Sequence, residues 1–170
     1  MVRQKAAGIR ARQAGALLAG ALVLELLEVR GSAPFYWTPL VLGLTYLLAA
    51  VLGGRRGGYW STACVLVGWG AGVAIVGSAG PSLDTSGVYL AGAGLGALVG
   101  AGLARRAFDV DAAGMAATIV LGGLVLALSP QVSRLDQAST YVALLAVIAV
   151  INAGLAVAAR GRTGGETAAT

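Results

Sequence analysis

The sequence predicts an all-α polytopic membrane protein with six transmembrane helices, and three observations carry that expectation. Of its 170 residues, 58% are hydrophobic and only 11% charged, against about 25% charged in soluble domains. The mean hydropathy is +0.83. The apolar residues also gather into six runs, close to the about 17–25 residues a helix needs to cross a hydrocarbon core of about 30 Å. A soluble chain of this size would lack the polar surface to wrap its core. The composition therefore excludes a soluble enzyme, a disordered chain and a disulfide scaffold. The single cysteine, Cys64, lies within an apolar run and reads as a small buried hydrophobe.

The first run, Ala14–Val29, follows a basic start of Arg3, Lys5, Arg10 and Arg12. Glu25 and Glu28 interrupt it, and Gly31-Ser32-Ala33 leads straight into Pro34, a poor cleavage context. It reads as a retained helix rather than a removed leader. The second run, Thr38–Leu52, is short and starts beside Pro39. The third, Tyr59–Gly77, opens on an aromatic pair; the fourth, Gly87–Ala104, is rich in glycine. Such glycine would weaken a helix in water, but in lipid the backbone must satisfy its own hydrogen bonds. The fifth, Ala112–Ser129, follows an acidic loop, and the sixth, Thr140–Ala159, carries Asn152. The expected organisation is a basic cytoplasmic tail over 1–13, a six-helix domain over 14–159 and a flexible cytoplasmic tail over 160–170.

The twelve basic residues set the orientation. Arg3, Lys5, Arg10, Arg12, Arg55, Arg56, Arg105, Arg106, Arg160 and Arg162 share one side, and only Arg30 and Arg134 fall on the other. The positive-inside rule then puts both termini in the cytoplasm of a multi-pass cell-membrane protein. Pro34, Pro39, Pro81 and Pro130 all lie in or beside the outer loops, where helices end. The net charge of +5 is explained by this asymmetry and does not point to nucleic acid. The expected partner is the lipid bilayer, with a homo-oligomer as a further option.

The outer loops show a repeat. Leu83-Asp84 precedes Tyr89, and Leu135-Asp136 precedes Tyr141 at the same offset; Tyr36 stands near the second helix, and each returning helix ends at arginine. Three tandem out-and-back hairpins would produce this, and so would any six-helix chain with short loops. Tyr59-Trp60 opening a helix, Pro81 and Pro130 at the outer loops, a glycine-rich second helix and an arginine end resemble the HdeD-like small membrane proteins, over roughly residues 59–162. The fifth helix departs from that pattern, because no aromatic pair opens it. The resemblance implies repeated helical hairpins and a stress-related membrane role, and it supplies no catalytic residues.

Candidate chemistry is sparse. There is no histidine, which removes His-based metal, haem and nucleophile sites. No cofactor and no metal is expected. Carboxylates inside a bilayer cost about 2.5–3.5 kcal/mol and are functional candidates. Glu25 and Glu28, on one face of the first helix, are the ones present. They either bind a cation or proton from the outer side or pair with Arg30 or Arg134. Asn152 can bond a neighbouring helix, a link worth about 0.6–2 kcal/mol, or meet a solute. Gly68 and Gly72, and Gly92, Gly96 and Gly100, form smooth rows for close helix packing, within one chain or between copies; Gly94 and Gly102 widen the stripe. Asp109-Val110-Asp111 reads as a solvated loop with Asp111 capping the fifth helix, ahead of a metal or phosphate site. Tyr36, Trp37, Tyr59, Trp60, Tyr89 and Tyr141 read as an aromatic belt, and Tyr46 and Trp69 as deeper packing residues.

The functional expectation is a non-enzymatic integral membrane protein that acts through helix packing and assembly in the envelope. The alternative is an oligomeric channel or transporter component for a small, weakly polar solute. Its polar path would draw on Glu25, Glu28, Asn152, Thr45, Ser61, Thr62 and Thr118.

Overall fold

With no water to satisfy the backbone, an apolar chain of this kind resolves into helices, and no strand occurs among the described residues. The computed structural model describes residues 2–31, 34–79, 85–128, 132, 134 and 137–166, with side-chain surroundings for 7–31, 34–78, 85–123, 132, 134 and 137–158. Its helices are α1 (Val2–Val29), α2 (Thr38–Gly53), α3 (Trp60–Ala79), α4 (Thr85–Ala104), α5 (Ala112–Leu128) and α6 (Ala138–Glu166). A short 3₁₀ turn, Phe35–Trp37, leads into α2, whose first turn carries Pro39. Proline is tolerated there because its missing N–H would have no intrahelical partner. Pro81, Pro130 and the Leu-Asp pairs at 83–84 and 135–136 lie outside the described residues.

Two boundaries differ from the sequence reading. The basic start is helical: α1 spans Val2–Val29 and runs unbroken through it. Gln13 explains part of this, since it is buried and its Nε2 donates to Gly57 O in the turn after α2. At the other end, α6 continues to Glu166, past the apolar run. Alanine, arginine and glutamate near these ends permit helix once the apolar part is anchored.

Four segments are long and apolar enough to cross a membrane: Phe35–Gly53, Trp60–Ser78, Thr85–Ala104 and Ala138–Ala158. The chain is thus a polytopic helical membrane protein with six helices, of which four meet that standard by length and composition. Along α1, Glu25, Glu28 and the flanking arginines raise the charge, and the α5 apolar stretch Ala112–Gly123 is short.

The helices do not pack simply in sequence order. α3 is central and touches α2, α4 and α5, while α1 lies between α2 and α6. Two consecutive pairs, α1–α2 and α3–α4, pack as hairpins. The third does not, because α6 lies along α1 and α5 leans chiefly on α3. The core is made of small and branched residues, including Leu17, Leu24, Ala49, Ala63, Leu145 and Ala149. Outward-facing residues are also apolar: Leu18, Leu22 and Leu26 on α1, Leu95 and Leu98 on α4, Val147 and Ile151 on α6 are all exposed. That inversion of the soluble pattern suits a hydrocarbon solvent.

The turns after α2 and α4 are clasped together. Asp109 N–H donates to Arg55 O at 2.7 Å, and Trp60 Nε1 donates to Gly54 O at 3.0 Å. The Phe108 ring stands edge-on to Trp60 at 4.8 Å, with the Arg55 guanidinium 5.3 Å from its centre. Trp60, expected in the interfacial belt, is instead buried in this clasp. Asp111 caps α5, its Oδ1 accepting from Gly114 N–H, while Asp111 N–H donates to Ser61 Oγ on α3 at 3.0 Å. Two chain-distant loops are thereby fixed to one helix start.

Candidate functional site

Glycine decides how closely α3 and α4 approach. A Cβ on Gly68 would run into Gly92 O, and one on Gly92 would come 3.2 Å from Gly68 C. A Cβ on Gly96 would strike Cys64 O, and one on Gly72 would stand 2.9 Å from Val88 O. Gly100 faces Met115 Sδ and Cys64 Cβ. All five glycines therefore serve contacts inside one chain. Gly94 and Gly102 do not widen this stripe, since open space surrounds both. The α2–α3 crossing uses glycines of its own, with Gly43 against the Leu66–Val67 backbone and Gly70 against Leu40.

Glu25 and Glu28 are exposed on the C-terminal half of α1. Glu28 borders a pocket of about 250 Å³ with Pro34, Trp37, Thr38 and Gln137. Neither carboxylate reaches the cavity between the helices described next.

Asn152 sits midway along α6 and is half-buried. Its Nδ2 donates to Tyr59 Oη at 2.7 Å and to Ile148 O at 2.8 Å. Tyr59 ends the α2–α3 turn at φ 65°, a conformation uncommon for a side-chain-bearing residue. Such a position persists when its surroundings hold it. Here the Tyr46 ring lies edge-on at 5.5 Å and the Asn152 amide grips the hydroxyl. Tyr59 is thus half-buried at the end of this turn, with its hydroxyl turned to α6.

These groups face a cavity of about 320 Å³ bounded by α2, α3, α5 and α6. Tyr46, Tyr59, Thr62, Trp69, Thr118 and Tyr141 contribute to its wall beside leucine and isoleucine. Thr118 Oγ1 donates to Gly114 O at 2.8 Å and meets Thr62 Oγ1 at 3.3 Å. No charged residue is among the described residues that line it. The sequence reading did not anticipate this cluster, because Tyr46, Tyr59 and Asn152 are far apart in the chain and each looks generic alone. The signal available was Asn152 itself, an amide needing a partner in an apolar helix. Among the described residues no group of three or more His, Cys, Asp or Glu could hold a metal.

The chain matches no family model, no curated protein and no solved structure.

Proposed function

We propose that this is a non-enzymatic, six-span membrane protein of the cell envelope, with both termini cytoplasmic, that works through assembly of its helices in the bilayer. The observation that carries this is the kind of contact the helices make. Glycine backbone meets helix backbone at α3–α4 and α2–α3, and the described buried polar side chains, Gln13, Thr38, Thr45 and Ser61, are neutral. Close packing is what drives helix association where lipid removes the hydrophobic incentive. The exposed leucine row on α1 and exposed Ile119, Val120 and Leu121 on α5 support counting both helices as spans. The resemblance to HdeD-like proteins adds a stress-related setting to this proposal.

A second reading, a carrier or pore for a small, weakly polar solute, draws on the hydroxyl-bearing cavity. Osmotic swelling of proteoliposomes separates the two. The assembly reading expects glycerol and urea to enter no faster than into empty liposomes, and a protein-dependent increase would overturn it. Orientation is tested with Asp109→Cys, which replaces an exposed loop residue. The introduced thiol should resist membrane-impermeant labelling in intact cells and react once cells are opened; ready labelling from outside would invert the topology.

A further inference from the structure

We propose that the cavity between α2, α3, α5 and α6 binds an uncharged, carbonyl-bearing amphiphile of the bilayer. Its head would sit against Tyr46 and Tyr59, and its hydrocarbon chain would leave between α5 and α6. The inference goes beyond the assembly reading and rests only on these helices lying in lipid.

The cavity has the size of a site. Its volume of about 320 Å³ falls at the lower end of the about 300–1,000 Å³ typical of small-molecule pockets. Its wall also has a side entrance. α5 packs on α3 and makes no comparable contact with α6, so the gap between them faces the hydrocarbon region. A ligand entering there must be lipid-soluble, and the lining is correspondingly apolar.

The polar atoms specify the head. Tyr46 is only 8% exposed, and its hydroxyl has no hydrogen-bond partner among the described residues. Among the described residues no fully enclosed side-chain oxygen or nitrogen lacks a partner, so the Tyr46 hydroxyl is not sealed off, and its residue lines the cavity. Tyr59 Oη accepts from Asn152, which leaves its own O–H free to donate. Two phenol O–H groups thus border a largely apolar space with neither donating to an acceptor among the described residues, and such a group gains when an acceptor arrives. An ester or ketone oxygen supplies it. A carboxylate or phosphate would need a cation, and the described lining residues include none. The rings of Tyr46, Tyr59 and Trp69 provide faces and edges for a flat head or a chain. This chemistry has two sources in a membrane, the acyl ester of a lipid and the ring carbonyl of an isoprenoid quinone.

Trp69 lines the cavity and reports on it. The full chain is reconstituted in phosphatidylcholine vesicles, and Trp69 emission is taken as the difference from the Trp69→Phe protein in each background. One arm adds decyl-ubiquinone; the other replaces the host lipid by dibromostearoyl phosphatidylcholine. Tyr46→Phe removes one donor. Gly122→Leu fills the cavity from α5, where an added Cβ meets open space, so this variant should fold. The quinone source predicts quenching that saturates with decyl-ubiquinone, is weakened about threefold to tenfold by Tyr46→Phe, and is abolished by Gly122→Leu. The lipid source predicts no saturable quinone effect but bromolipid quenching of Trp69 that both variants reduce. Quenching that is linear in quencher and identical in all three proteins overturns the site while leaving the assembly reading intact. Absence of bromolipid quenching from every tryptophan would overturn both, because the chain would not be in the bilayer.

Discussion

Gly96→Ala tests how α3 and α4 are held together. The new Cβ would run into Cys64 O and lie 3.0 Å from Cys64 C and 3.2 Å from Val65 Cα. These are backbone atoms, so no rotamer change relieves the overlap and the helices must part. Relieving the overlap with Cys64 O, the closest of these atoms, requires a shift of about 1 Å or more, which forfeits about half of each dispersion contact nearby. The same shift loosens the Gly68, Gly72 and Gly92 contacts. Overpacking of this kind costs about 1–3 kcal/mol, and alanine's better helix propensity offsets at most about 1 kcal/mol. The expected net loss is about 1–2 kcal/mol. Gly94→Ala, on the same helix but in open space, is the matched control and should lose nothing. Unfolding in mixed micelles by added dodecyl sulfate measures both. Trp69 fluorescence follows it, since that ring stands edge-on to Tyr89 of α4 at 6.4 Å. If Gly96→Ala proved as stable as Gly94→Ala, the close-approach argument would be wrong.

Other outcomes follow from single contacts. Asn152→Leu and Tyr59→Phe, combined in a double-mutant cycle, should show a coupling of about 0.6–2 kcal/mol; strict additivity would mean the 2.7 Å bond contributes nothing. Asp111→Ala removes the α5 cap and should cost about 0.5–2 kcal/mol, with faster amide exchange at Gly114 as the local readout; unchanged exchange would refute the capping role. Glu25→Gln alters an exposed side chain outside the cavity, so its stability should stay within about 0.5 kcal/mol of the parent. A larger change in the same unfolding assay would show that the carboxylate has a structural partner.

Much of the fold is legible because the bilayer imposes one rule along the whole chain. The apolar runs locate every helix, and the two helix ends that flank the 105–111 loop fall where expected, at Ala104 and Ala112. The rule fails at the chain ends. Gln13 looks like part of a polar tail, yet a hydrogen bond to Gly57, forty-four positions away, draws it into the bundle. Glycine spacing showed that two smooth rows exist, but spacing alone does not say what they face. Gly92 and Gly94 lie on different sides of α4, and only the rotation of α4 against α3 puts the first in contact and leaves the second in open space.

The sequence by itself determined a helical, membrane-embedded chain, since composition and hydropathy act locally and lipid leaves no other backbone solution. The tertiary structure decided which helices meet. In lipid, apolar faces are nearly interchangeable, so partner choice rests on shape and on a few hydrogen bonds. That is why α6 lying along α1, the apposition of Tyr46, Tyr59 and Asn152, and the open side of the cavity beside α5 emerge only in three dimensions.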